Sequence, residues 1–218
     1  MEITAGYVGR LEMAPPDASS SVDAALVARF SRHLSAHLQA LQEVHAQLGA
    51  VATAAGLISR ALASGGRVFT CGNGGSAAEA EHFAAELVGR FRYDRRALAA
   101  CSLASDSAAL TAIANDYGYT DVFARQLEAL AGRGDVLVAI STSGESENVG
   151  RAASVARHRD LGIIAMTGAG KCSLSRRADV ALHAPSSDTP IIQEAHMLFK
   201  HLLCDAVERQ LCPNGATS

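Results

Sequence analysis

The chain has 218 residues, of which 49% are hydrophobic and 19% are charged, so it can bury the core of one large α/β domain. Its net charge of −3, from 19 lysines and arginines against 22 aspartates and glutamates, argues against a general nucleic-acid binder. The five cysteines are scattered and form no CxxC pair, so we expect reduced thiols. The sequence has no uninterrupted apolar run of about 18 residues and no signal-peptide pattern. We therefore expect a cytoplasmic protein without a membrane partner.

The N-terminal part of the sequence predicts a tail followed by two helices. Residues 1–20 contain a Pro-Pro pair and are predicted to be a flexible tail, while residues 21–218 are expected to form a single domain. Apolar residues at three- and four-residue steps over 22–44 predict a first helix, and a second helix over 48–63 ends at a Ser-Gly-Gly sequence. We expect these helices either to lie in a subunit interface or to cover the sheet.

Five short apolar segments then alternate with helical segments. The predicted strands are 67–71, 98–103, 135–140, 162–167 and 178–183. The predicted helices are 77–90, 107–115, 121–130, one that ends near 159, and a last one over 190–211. This alternation predicts a three-layer α/β fold with a parallel sheet, whose ligands bind outside the carboxyl ends of the strands.

Polar segments follow the first and third predicted strands, at the sheet edge where ligands are expected. The segment after the third strand contains Ser141, Thr142, Ser143 and Ser146. Hydroxyl groups together with free backbone N–H groups at the start of a helix form a cradle for an anion. Ser76 occupies the equivalent place after the first strand. Helix N-caps and turns are the alternative reason for serine and threonine here, but the density of hydroxyls after a buried strand favours anion binding.

Two histidines, a carboxylate and an amide are candidates for acid–base chemistry or a metal site. His82 and Glu86 lie four residues apart on the helix after the first strand, so they project from one face. Gln193 and His201 lie eight residues apart on the last helix. This set of ligand atoms suits Zn²⁺ or another divalent ion, but an exposed His–Glu pair at this spacing is more often a solvated helix face. The spacing leaves both interpretations open.

Five sequence segments point to a known family. They are CGNGGS at 71–76, AEHFAAEL at 80–87, NDYGY at 115–119, ISTSG at 140–144 and IQEAH at 192–196. These segments closely resemble those of phosphoheptose isomerases, members of the sugar isomerase (SIS) superfamily. The resemblance implies a five-stranded parallel sheet flanked by helices, with N-terminal helices in the subunit interface of a homotetramer whose active sites lie at interfaces. It also implies conversion of sedoheptulose 7-phosphate to D-glycero-D-manno-heptose 7-phosphate through an enediol.

The resemblance also assigns roles to individual residues. It implies a phosphate site formed by Ser141, Thr142, Ser143 and Ser146. It implies further substrate contacts from Asn73, Gly74, Ser76, Arg90, Asp116 and Gln193. Of these, Arg90 would reach the site of a neighbouring subunit. It implies one Zn²⁺ per subunit, bound by His82, Glu86, Gln193 and His201. Glu86 and His201 would also be the acid/base pair, which suits a reaction that moves a proton between adjacent carbons. Because a bound cation makes a carboxylate a poorer base, either Glu86 shifts off the metal or the metal only organises the site.

Two alternatives remain open on the sequence. The chain is then either an isomerase of another ketose phosphate, such as an octulose 8-phosphate in natural-product biosynthesis, or a non-catalytic SIS module that binds a sugar phosphate or a protein. Glu86 and His201 are both present, which favours an enzyme over the non-catalytic module. Pro190 departs from the family pattern, since some relatives carry an acidic residue three positions before Gln193.

Overall fold

The structure is a computed structural model that describes residues 21–213, with side chains from residue 24 onward. The predicted tail over 1–20 lies outside the described residues. Two compact units divide the chain, residues 1–36 and 37–218. The described part of the first unit belongs to helix α1 (Ser21–Val44), where Leu26, Val27, Phe30 and Leu34 are 44 to 61% exposed.

The order of helices and strands agrees with the alternation that the sequence predicts. After α1 the described helices are α2 (Leu48–Ala63), α3 (Gly75–Val88), α4 (Ser107–Tyr117), α5 (Ala124–Leu130), α6 (Glu147–His158) and α7 (Thr189–Leu211). The described strands are β1 (Val68–Cys71), β2 (Ala100–Ser102), β3 (Val136–Ser141), β4 (Gly162–Thr167) and β5 (Val180–His183). Short 3₁₀ turns precede α2, α5 and β5.

The five strands form one parallel sheet in the order β2-β1-β3-β4-β5. The register places Val136 of β3 beside Val68 of β1 and beside Gly162 of β4. Every residue of β3 is buried, as expected for a central parallel strand covered by helices on both faces. The predicted five-stranded α/β fold is therefore confirmed. The edge strand β2 is three residues shorter than predicted, because only three of its residues pair with β1.

Helices cover both faces of the sheet and form two hydrophobic clusters. Alternate residues of β3 point to opposite faces: Val136, Val138 and Ile140 belong to one cluster, and Leu137 and Ala139 to the other. The first cluster contains apolar side chains of α2, α3 and α7, and the second those of α5 and α6. Because α3 and α7 pack on the same face and contact each other, the helix after the first strand and the last helix lie side by side.

Helix α3 begins and ends two residues earlier than predicted. Gly74 takes a positive φ of 54°, a conformation that glycine adopts without strain, and the helix starts at the next residue. At the other end the guanidinium of Arg95 donates to the carbonyls of Leu87 and Gly89, so the last carbonyls are paired with a side chain. The sequence pattern predicted that the helix ends at residue 90, because it contains no local signal for this cap by a side chain outside the helix.

One described stretch, Ala24–Ala63, is long and apolar enough by length and composition to cross a membrane. The stretch is not an uninterrupted apolar run, since it contains charged residues such as Arg29, Arg32 and Glu43. A core helix passes the same test, and 39% of the apolar window is buried in the protein. Helix α2, for example, buries Val51, Ala55 and Ile58.

Candidate active site

The hydroxyl-rich turn after β3 lies at the carboxyl end of the sheet, where helix α6 begins. Ser141 Oγ lies 2.9 Å from Ser146 Oγ and 3.4 Å from Ser143 Oγ, and the backbone N–H of Gly144 donates to Ser141 Oγ at 3.1 Å. Three hydroxyls therefore converge at the N-terminus of α6, which attracts an anion. Thr142 and Ser143 line an adjoining cavity of about 290 Å³ that also contacts the first turns of α7. The structure thus brings the four predicted phosphate ligands to one place.

Gly144 is required by the packing of this turn. Its φ is +67°, which L-residues with a side chain rarely adopt. A Cβ at this position would overlap the side chain of Cys172. The carbonyl of Gly144 also accepts a hydrogen bond of 3.0 Å from the N–H of Leu174. These contacts fix the turn against the segment that follows β4.

The turn after β1 is tied directly to the turn after β3. Asn73 and Asn148 exchange two side-chain hydrogen bonds, each 2.8 Å long. The hydroxyl of Tyr119 donates to Asn73 Oδ1 at 3.0 Å, and the backbone carbonyl of Asn73 accepts from the N–H of Ser76. Asn73 is therefore held beside the phosphate turn with Gly74 and Ser76. Asn148 and Tyr119 were missed by sequence reasoning, although Tyr119 is the last residue of the family segment at 115–119 and Asn148 lies four residues after the segment at 140–144.

Two other predicted substrate contacts lie on the surface of the described chain. Asp116 is exposed near the end of α4, and its carboxylate accepts a 2.8 Å hydrogen bond from Asn115. Arg90 is exposed in the segment after α3. Within residues 21–213 neither is brought into contact with the phosphate turn or the acid/base residues.

The acid/base candidates meet where α3 packs against α7. His82 Nε2 lies 2.9 Å from Glu86 Oε1, and the rings of His82 and His201 form an edge-to-face pair with centroids 5.6 Å apart. The ring of Phe91 covers another side of His201 at 5.4 Å. Burial lowers the pKa of His201, and the nearby His82 and Lys200 lower it further. These effects favour the neutral form of the His201 imidazole, which lies next to a partly exposed carboxylate.

Gln193 lies apart from this cluster. Its amide packs against Gly75, where a Cβ would overlap it, at the N-terminus of α3. Gln193 also lines a cavity of about 560 Å³ together with Glu79, Pro190 and Met197. Among the described residues no group of three His, Cys, Asp or Glu side chains is placed to hold a metal ion. Three of the four predicted zinc ligands are neighbours, but the fourth is two helical turns away along α7.

A buried ion pair shapes the segment after α3. Both oxygens of Glu208 on α7 accept hydrogen bonds, from the backbone N–H groups of Phe91, Arg92 and Tyr93 and from Arg95 Nε at 2.8 Å. The same guanidinium donates to the carbonyl of Glu86 at 2.8 Å. The pair therefore holds Phe91 against His201 and caps the helix that carries Glu86.

Comparison with known proteins places these features in a family. A family model described as a SIS domain matches residues 29–168. The phosphoheptose isomerase of Helicobacter hepaticus is 48% identical over 184 residues, which is 84% of this chain and 94% of the relative. That of Geobacter sulfurreducens is 48% identical over 181 residues, with 83% and 96% coverage. The solved phosphoheptose isomerase from Neisseria gonorrhoeae superposes with a TM-score of 0.80 at 42% identity, covering 84% of this chain and 98% of that one.

Proposed function

The chain belongs to the phosphoheptose isomerase family of SIS-domain proteins, and we propose on that basis that it converts sedoheptulose 7-phosphate to D-glycero-D-manno-heptose 7-phosphate. It is a phosphosugar isomerase. The observation that supports this substrate class is the pairing of a hydroxyl-lined anion turn at the sheet edge with a carboxylate and an imidazole on the adjacent α3–α7 pair.

The residues suit a proton transfer between adjacent carbons. We propose that Ser141, Thr142, Ser143 and Ser146 bind the phosphate through hydroxyls and backbone N–H groups. Glu86 removes a proton from C1 of the ketose and returns it to C2. His201 accepts the proton that the sugar loses at O1 and donates a proton to O2. In total, one proton moves from C1 to C2 and one from O1 to O2, and the side chains of Glu86 and His201 end in the protonation states in which they began.

The surroundings of Glu86 and His201 favour these roles. Glu86 is partly exposed, so substrate can reach it, and the imidazole of His82 holds one of its oxygens. Because the pKa of His201 is lowered by burial, its ring carries one N–H donor and one acceptor nitrogen at neutral pH. That form can exchange hydroxyl protons without a net charge. Of the other predicted substrate contacts, Asn73 and Gly74 lie on the neighbouring turn and Ser76 lies in the first turn of α3.

We also propose one Zn²⁺ per subunit, for which the donor chemistry of this chain is suitable. His82, Glu86 and His201 present two imidazoles and a carboxylate on adjacent faces of α3 and α7, and Gln193 would supply an amide oxygen. When bound, the cation would polarise the carbonyl of the sugar. Metal-free protein prepared by chelation should lose activity and regain it with added Zn²⁺. Full activity in metal-free protein would reject a functional metal.

A homotetramer in the cytoplasm is the assembly and location that we propose. Helix α1 exposes Leu26, Val27, Phe30, Leu34 and Leu38, which recur at helical spacing and are suited to contact another copy. All five cysteines are free thiols, as is usual in a reducing compartment. Light scattering should show four copies for the wild type and fewer for Phe30→Glu. A wild-type monomer would reject the tetramer.

The reaction itself is tested by mixing purified protein with sedoheptulose 7-phosphate and following the aldose by NMR. We expect turnover by the wild type and at least about 100-fold slower turnover by Glu86→Gln and by His201→Ala, the usual scale for acid/base groups. Glu81→Gln is the matched control, since Glu81 is exposed on the same helix. Turnover only of an eight-carbon ketose phosphate would change the substrate, and binding without turnover of either sugar would indicate a non-catalytic module.

A further inference from the structure

Three buried polar side chains lie in the contact between α3 and α7 and are not used by the acid/base pair. Glu79 is 6% exposed, His196 is fully buried and Lys200 is 1% exposed. Buried polar groups in folded proteins are nearly always hydrogen-bonded, so an unpaired one calls for a reason. Here Glu79 Oε2 and His196 Nδ1 both lack a hydrogen-bond partner among the described residues.

The two unpaired atoms face each other. His196 Nε2 lies 3.1 Å from the backbone carbonyl of Thr167, and because a carbonyl only accepts, Nε2 carries the hydrogen and donates it. A neutral imidazole then has its lone pair on Nδ1, which lies 3.4 Å from Glu79 Oε2. No hydrogen bond joins these two atoms, although the contact between them is buried. Lys200 Nζ donates to the backbone carbonyl of Glu79 at 3.2 Å and makes no hydrogen bond to Glu79 Oε2.

Glu79 also lines the cavity of about 560 Å³ beside Gln193. Its carboxylate is thus placed between a buried histidine on one side and the cavity on the other. On α3, Ser76 lies at the end next to the phosphate turn, and Glu86 lies seven residues beyond Glu79, about 10 Å along the helix axis. Glu79 is therefore separated from Glu86 along α3 and lies nearer the end of the helix that adjoins the phosphate turn.

We propose that Glu79, supported by His196, binds a hydroxyl group of the open-chain sugar between its phosphate and its reacting carbons. This inference rests on the proposed function and adds a residue that determines specificity within the same site. A sugar hydroxyl in the cavity donates to the carboxylate oxygen of Glu79 that is not buried against His196 Nδ1. A site built to bind a hydroxyl discriminates strongly against a ligand without one, because the buried acceptor is then left unpaired.

The substitution Glu79→Gln separates this role from a structural one. The amide of the new side chain can donate to His196 Nδ1 and pair both unpaired atoms, so the melting temperature should stay the same or rise. A sugar hydroxyl meanwhile loses its charged acceptor. KM for sedoheptulose 7-phosphate should rise about tenfold or more, with a smaller change in kcat. The inhibition constant of inorganic phosphate, which uses only the phosphate turn, should not change. Glu81→Gln, on the exposed side of the same helix, should match the wild type in all three measurements.

Every result of these measurements either supports or overturns the contact between Glu79 and the sugar. A wild-type KM in folded Glu79→Gln, or an equal loss of phosphate and sugar affinity, overturns the sugar contact and leaves the proposed function standing. A wild-type protein that binds phosphate but neither binds nor turns over the ketose phosphate overturns both. If Glu79→Gln does not fold, Glu79→Asp keeps the charge and shortens the side chain by one methylene. In that variant a raised KM with unchanged phosphate inhibition supports the contact, and an unchanged KM rejects it.

Discussion

Glu208→Gln removes a negative charge that is fully buried between α7 and the segment over 89–96. The carboxylate of Glu208 accepts four hydrogen bonds, three from backbone N–H groups and one from the guanidinium of Arg95, which is also buried. A neutral amide leaves Arg95 as an uncompensated buried cation and can accept fewer of those bonds. Loss of one partner of a buried ion pair costs about 3–5 kcal/mol of unfolding free energy. For a chain of this size that corresponds to a melting temperature lower by roughly 6–20 °C.

The pKa of Glu208 gives this effect a pH dependence. Burial acts to raise that pKa, but the hydrogen bonds from Phe91, Arg92 and Arg95 outweigh it and hold the pKa below that of an ordinary glutamate. A group whose pKa is depressed by folding contributes stability that is complete above its unfolded pKa and is lost as the pH falls through the folded value. The difference between wild type and Glu208→Gln should therefore be full at pH 7 and shrink below about pH 4.3.

Thermal and urea unfolding at equal protein concentration measure the difference. Asp205→Asn is the matched control, because Asp205 lies on the same helix and pairs with Arg92 and Arg209, both of which are more than half exposed. Exposed pairs contribute at most about 1 kcal/mol. A loss in Glu208→Gln no larger than in Asp205→Asn, or a difference that grows on acidification, would refute this reasoning.

Three further predictions concern reactivity and the site. Burial raises the pKa of the Cys71 and Cys204 thiols to about 12. Iodoacetamide at pH 8 should therefore label the exposed Cys101 and leave Cys71 and Cys204 unlabelled until the protein unfolds. Labelling of Cys71 or Cys204 in folded protein would contradict their burial. Burial and neighbouring basic groups lower the pKa of His201, so the acidic limb of kcat/KM that it controls should lie below about pH 6.5, and a limb above that value would count against its role. Ser143→Ala should raise KM about tenfold with little change in kcat, and a change confined to kcat would exclude a simple phosphate contact.

The fold could be predicted from the sequence because its local signals agree with one another. The strand over 135–140 is almost wholly apolar, which is typical of a central parallel strand, and β3 is buried throughout. Glycines and hydroxyl residues after β1 and β3 marked the loops that the structure places at one edge. The ends of elements were less accurate. The cap that ends α3 comes from Arg95 and Glu208, and the latter is 120 residues beyond Val88 in sequence, so no local pattern could report it.

The candidate site could be predicted in part. Helical position singled out His82 with Glu86 and Gln193 with His201, and the family resemblance assigned their roles. The structure places His82, Glu86 and His201 together. Glu79 and His196 were missed, since a glutamate among other charged residues on α3 resembles a solvated face. A signal was present on α7, where His196 and Lys200 lie four residues apart on the same stripe as Phe199 and Leu203. Polar residues at core positions of an amphipathic helix indicate a buried polar site, but only the packing of α3 against α7 identifies the partner.

A crystal structure of Glu86→Gln with sedoheptulose 7-phosphate bound would test the placement of the reaction most directly, because a slow variant keeps the ketose intact. The account predicts the phosphate on the turn formed by Ser141 to Ser146, with C1 and C2 beside position 86 and the oxygens of those carbons next to His201. Electron density that puts the phosphate at another loop, or the reacting carbons away from both α3 and the imidazole, would contradict it.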